Sequence, residues 1–114
     1  MTRAAAIVVA LALAGCAPRA PEPAALDPQN DACASCRMAG TEGRFASQLV
    51  APGEVPRFFD DVGCLAAYLK AGRAPTGAVA FVADHQTRAW VRAAAAVYTR
   101  VPTLSTPMDS HVIA

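Results

Sequence analysis

Hydrophobic and polar positions divide the chain into three stretches with different rhythms. From Ala4 to Ala14 every residue is apolar. Residues 17–30 (APRAPEPAALDPQN) hold four prolines and no apolar period. Beyond residue 31 the periods of a folded domain begin. Arg44–Val50 (RFASQLV) places Phe45, Leu49 and Val50 before a Pro52-Gly53 turn, and Val55–Phe59 resumes the apolar pattern, which predicts a hairpin. Val62, Leu65, Tyr68 and Leu69 then follow helical spacing. Asp61 stands at the N-cap position, Lys70 near the C-terminus and Gly72 where the helix should stop. Gly77–Ala83 (GAVAFVA) reads as a buried strand ended by Asp84-His85-Gln86-Thr87. Ala89–Val101 supports two readings, because its alanine run favours helix while Val97, Tyr98, Thr99 and Val101 favour a closing strand. The order strand, strand, helix, strand, strand predicts a small α+β fold, an antiparallel sheet with one covering helix. Pro102–Met108 reads as an irregular tail. The apolar ending Val112-Ile113-Ala114 is expected either to close the sheet or to mark a chain shorter than its relatives.

The first apolar stretch has eleven residues, too few to span about 30 Å of hydrocarbon as a helix. Thr2 and Arg3 before it, and Leu13-Ala14-Gly15-Cys16 after it, match a secretory signal peptide whose exit resembles the lipobox of bacterial lipoproteins. The expected organisation is a signal peptide over 1–15, a lipid-anchored Pro-rich tether over 16–30 with Cys16 as the lipidated residue, and a folded domain over 31–114. By analogy with known lipoproteins, Ala17 rather than an aspartate after Cys16 favours the outer membrane. Cleavage after Gly15 would leave nine Lys/Arg against nine Asp/Glu. A neutral chain carries no basic stripe to neutralise phosphates, so nucleic-acid binding is excluded.

Lipidation of Cys16 leaves three of the four cysteines, Cys33, Cys36 and Cys64. An odd thiol count in an oxidising compartment requires a free thiol, an interchain pair or a bound ligand. Cys33-Ala34-Ser35-Cys36 is a CxxC, a spacing shared by thiol–disulfide proteins and metal sites. Arg37 follows where covalent haem attachment needs histidine. The spacings of Cys64, His85 and His111 match no common zinc module.

Met38 stands two residues beyond Cys36 and turns the motif into CxxCxM. Thiolates with thioethers select Cu(I) by softness, and a thioether needs no deprotonation to bind. The candidate ligands are Cys36 and Met38, with Met108 closing the site from the tail and Cys33 or His111 assisting. Cys64 reads as a small buried apolar residue, His85 as a solvated turn residue, and Trp90 and Tyr98 as core or partner-contact aromatics. The adjacent carboxylates Asp60 and Asp61 cannot face one another on a helix, so capping is favoured over acid–base catalysis and no enzymatic activity is expected. A disulfide-exchange role for Cys33 and Cys36 is the competing reading. Gly40, Thr41, Glu42 and Gly43 oppose the long helix that such a motif usually opens.

Taken together, the lipobox, CxxCxM, Phe59-Asp60-Asp61-Val62-Gly63-Cys64-Leu65, Val82-Ala83-Asp84, Trp90, Ala96-Val97-Tyr98 and Thr106-Pro107-Met108 resemble the NosL family of copper-binding lipoproteins. The resemblance covers nearly the whole chain beyond the lipobox. It implies a β-β-α-β fold similar to organomercurial lyase. It also implies delivery of Cu(I) in the periplasm to an apo-cuproenzyme, nitrous oxide reductase, in concert with a membrane transport complex. Carried over by position, the motif residues are Cys33, Cys36, Met38 and Met108, with Cys64 in the FDDVGCL stretch. After Met108 the chain departs from the family, reading Asp109-Ser110-His111 where glycine is common.

Overall fold

The computed structural model describes Gly15 and residues 18–114. The apolar run 4–14 and Cys16 lie outside the described residues. Among those described, no helix is long and apolar enough to cross a membrane.

The expected hairpin forms from β1 (Ser47–Val50) and β2 (Arg57–Phe59), paired antiparallel with Ser47 opposite Phe59 and Leu49 opposite Arg57. Gly53, at φ +71°, supplies the left-handed turn residue that a side chain would strain. β3 (Val79–Ala83) lies on the other side of β1, and β4 (Trp90–Arg92) pairs with β3. The result is a four-stranded antiparallel sheet in the order β2-β1-β3-β4. The turn between β3 and β4 is closed by Asp84, whose Oδ1 accepts the N–H groups of Gln86 and Thr87.

The one α-helix among the described residues, α1 (Val62–Lys70), follows β2 closely. Asp61 caps it, accepting the Gly63 N–H at 2.7 Å. Its C-terminus closes on Gly72 (φ +70°), with Gly72 N–H bonded to Leu69 O and Arg73 N–H to Tyr68 O. Leu65 and Tyr68 pack with Leu49, Phe59 and Val82 from one sheet face, and Cys33 and Cys64 join this core. Phe59 is fully buried and meets Tyr68 edge-on at 5.1 Å, worth about 0.5–1.5 kcal/mol beyond its area. Side chains alternate along a strand, so Gln48, Phe58 and Phe81 point to the face opposite α1.

The ambiguous stretch 89–101 resolves into neither a helix nor one strand. It begins as β4, passes through a 3-10 turn at Ala93–Ala95, and ends as β5 (Thr99–Arg100). Short alanines supply too little area to anchor a second helix on the sheet, so local turns prevail. The apolar ending forms β6 (Val112–Ile113), which pairs with β5 in a separate two-stranded ribbon rather than joining the main sheet. His85 lies in the expected turn but is half-buried rather than solvated. Its ring packs against Phe45 at 5.3 Å and its N–H bonds Ala114 O.

Candidate metal centre

Three separate parts of the chain converge at the edge of the core beside the N-terminus of α1. The first is the CxxC loop. An isolated bridge between Ala32 and Ala39 closes its base, Cys33 N–H bonds Met38 O at 2.9 Å, and Arg37 N–H bonds Cys33 O at 2.9 Å. Arg37 takes a left-handed conformation (φ +67°), which brings the tight loop back on itself. Ala34 N–H bonds Phe58 O at 2.8 Å and fastens the loop to β2. The second part is Asp60, carried inward at the end of β2, and the third is Cys64 in the first turn of α1.

The ligand atoms of Cys33, Cys36, Asp60 and Cys64 all lie within 4.8 Å of one another. No disulfide joins the three thiols. This group can hold a metal ion. Cys33 and Cys64 are buried and Cys36 is half-buried, so the cluster has a sealed end and an accessible end.

Hydrogen bonds tie the group together. The Cys36 thiol donates to Asp60 Oδ2 at 3.3 Å, and the Cys36 N–H points to Cys33 Sγ at 3.5 Å. Asp60 is almost wholly buried, and its Oδ1 has no hydrogen-bond partner among the described residues. A buried carboxylate oxygen left unpaired is costly, and a cation is one natural partner for it. Burial raises the Cys36 thiol above its ordinary pKa, opposed by the Met38 N–H and reinforced by Cys33 and Asp60. Burial pushes Cys64 further upward, with Cys33 and Asp60 adding to the effect. On balance these influences disfavour negative charge on metal-free Cys36 and Cys64.

An open cleft of about 430 Å³ leads to the cluster, lined by Ser35, Cys36, Gly63, Cys64, Ala67, Met108 and Ser110. Met108 is half exposed at this cleft. Its position is set by Asp61, whose Oδ2 accepts the Met108 N–H at 2.9 Å while Oδ1 caps the helix. Burial tends to raise the Asp61 carboxyl. Hydrogen bonds from Ser110, Gly63, Met108 and Thr106 overcome that and hold it below the usual carboxylate range. Gly63 permits the close approach of the tail loop, since a Cβ there would lie 2.9 Å from Ser110 Cβ.

The sequence-derived ligands thus separate into groups. Cys33 and Cys36 lie within the cluster, and Met108 lines the cleft that reaches it. Met38 braces the loop through its backbone, while its side chain is half exposed and absent from the cleft lining. His111 lies outside the four-residue cluster, its Nδ1 2.8 Å from Leu104 O and its N–H bonded to Thr106 Oγ1.

Two members escaped the sequence reading. Cys64 is the buried core residue expected, and it is also the third thiol. Asp60 was assigned to capping, which Asp61 performs alone. No local signal in the sequence marks either one, because Asp60 lies before the extended N-cap Asp61 and outside the helix that carries Cys64.

Comparison with protein-family models, curated proteins and solved structures finds no match to this chain.

Proposed function

We propose that this protein is a lipid-anchored Cu(I) metallochaperone of the cell envelope, facing the periplasm, that delivers copper to an apo-cuproenzyme. The observation that carries the reading is the convergence of three free thiols and one buried carboxylate within 4.8 Å. Thiolates select soft cations, and Cu(I) is satisfied by two or three such ligands. Cys33, Cys36 and Cys64 would hold the ion, Met108 would offer a thioether at the cleft, and Asp60 would place a carboxylate beside the ion.

Exposure supports cargo transfer over permanent storage. Cys33 is fully buried, Cys36 half-buried and Met108 45% exposed, so donor sulfur extends from the core toward solvent. An acceptor's Cys, Met or His can enter at the exposed side before the buried thiols let go. The resemblance to NosL proteins supports nitrous oxide reductase as acceptor, with a membrane transport complex upstream and outer-membrane anchoring through Cys16.

The competing disulfide-exchange reading fits less well. Exchange needs a thiolate, and such cysteines sit in electropositive settings that lower their pKa. Here burial and Asp60 act in the opposite direction.

The test is anaerobic titration of the reduced chain with Cu(I) against a chromophoric chelator, with X-ray absorption to count sulfur neighbours. Successful competition with sulfur-dominated coordination is expected. Failure to compete, or preferential retention of Zn(II) in a tetrahedral site, overturns the reading.

A further inference from the structure

Part of the Pro-rich segment, read from sequence as a tether, is fastened to the sheet. Gln48 on β1 is completely buried on the face opposite α1. Its side-chain amide pairs with both backbone groups of one residue of that segment, Ala24. Oε1 accepts the Ala24 N–H at 2.8 Å, and Nε2 donates to Ala24 O at 3.1 Å. Pro21, Ala24 and Leu26 are partly covered while their neighbours are exposed, as befits an extended strap with one side against the domain. Without the strap this amide would lose both of its hydrogen-bond partners in the chain.

The strap leads straight into the CxxC loop. Asp27 stiffens the connection: its Oδ1 accepts the Gln29 N–H at 3.0 Å and the Asn30 N–H at 3.3 Å, and its own N–H donates to Asp31 Oδ2 at 2.7 Å. The next residue, Ala32, forms the bridge to Ala39, and Cys33 follows. Cys33 is therefore held from its N-terminal side by the Gln48 grip and from its C-terminal side by the Ala34–Phe58 bond.

We propose that residues 18–27 are a strap that positions Cys33 through the Ala24–Gln48 grip, so that release of the strap loosens the metal centre. This rests on the reading of the cysteine cluster as a metal site. It also links the tether to the cargo: a partner or a pull on the N-terminal side that frees Ala24 would weaken retention of the ion.

Ala24→Pro isolates the effect. It deletes the N–H that Gln48 accepts, within a segment already rich in proline. Ala25→Pro is the control, because Ala25 is exposed and its N–H makes no hydrogen bond among the described residues. Metal-free full chain is followed by hydrogen exchange and by peptide-mapped alkylation of Cys33.

The expected result for Ala24→Pro is about tenfold faster Cys33 alkylation, the equivalent of one lost hydrogen bond of ordinary strength, with α1 and β1 still protected. Ala25→Pro should match the wild type. Equal Cys33 rates in all three proteins, or an unprotected Ala24 amide in the wild type, overturn the strap. A parallel Cu(I) competition should show weaker retention in Ala24→Pro alone. If no protein binds Cu(I) but the alkylation difference stands, the metal reading fails and the strap survives as a positioning element of the thiol loop.

Discussion

Asp61 and Met108 are joined by a 2.9 Å hydrogen bond across 47 residues of sequence, and the carboxylate that makes it also caps α1. One side chain therefore fixes both the helix start and the tail loop that lines the cleft. Asp61→Ala should lower stability by about 1–2 kcal/mol from the cap, with more lost through the Met108 N–H, read as a lower thermal midpoint. Asp61→Asn, itself a good cap, should cost less. The acid dependence follows from the depressed carboxyl. Its stabilisation is complete above the unfolded aspartate value near pH 3.9 and is lost as pH falls through the lower folded value. An acid limb unchanged in Asp61→Asn would show that another carboxylate controls it.

Cys64 distinguishes a three-thiol centre from a two-cysteine site. Cys64→Ser should weaken Cu(I) retention by at least tenfold in chelator competition while the fold is kept, since serine nearly preserves the volume. Met38→Ala should have a smaller effect, because the Met38 side chain lies away from the cleft while its backbone braces Cys33. Full retention in Cys64→Ser would remove that thiol from the ligand set.

The raised thiols give the metal-free protein an alkaline weakness. Folding holds Cys36 and Cys64 protonated beyond the pH at which the unfolded chain ionises them. Their contribution is thus fully present below about pH 8.5, the ordinary thiol value, and declines as pH rises above it. Denaturant midpoints measured from neutral to alkaline pH under reducing conditions should fall, and the fall should be shallower in Cys64→Ala. An identical alkaline slope in that variant would assign the loss to other groups.

Local chemistry made much of the fold legible in sequence. Pro52-Gly53, Asp61, Gly72 and Asp84 each enforce a turn or helix end through their own backbone or side-chain preferences, and the hairpin, helix and third strand appear between them. The stretch 89–101 was harder, because alanine has a helix preference but little area with which to realise it against a sheet. The centre was half legible. The CxxC is a local motif, so Cys33 and Cys36 announced themselves. Cys64 and Asp60 join them only because β2 ends beside the CxxC loop, one residue before Asp60, and α1 starts soon after. Met38 is adjacent to the motif in sequence, yet its side chain is half exposed and does not line the cleft. The Gln48 grip on Ala24 was hidden for the opposite reason: one polar residue in a strand is ordinarily solvated, and only the completed sheet shows it buried.

Gly63 is the remaining point where helix preference and packing disagree. Inside a helix, Gly→Ala ordinarily stabilises by up to about 1 kcal/mol. At Gly63 the added methyl would lie 2.9 Å from Ser110 Cβ and 3.2 Å from Asp61 Oδ1, and the first of these is anchored to backbone and cannot swing away. The overpacking cost, about 1–3 kcal/mol, should exceed the propensity gain and push the 106–111 loop outward. Gly63→Ala should therefore lower the thermal midpoint and speed exchange of the Met108 N–H. Ser110→Gly removes the obstructing carbon but also the hydroxyl that accepts the Val112 N–H, so alone it too should destabilise. The two changes together should cost less than the sum of the singles, because the second relieves the clash introduced by the first. Strict additivity in that double-mutant cycle would mean that the tail loop does not rest on the start of α1, and the cleft beside Cys36 and Cys64 would lose its outer wall.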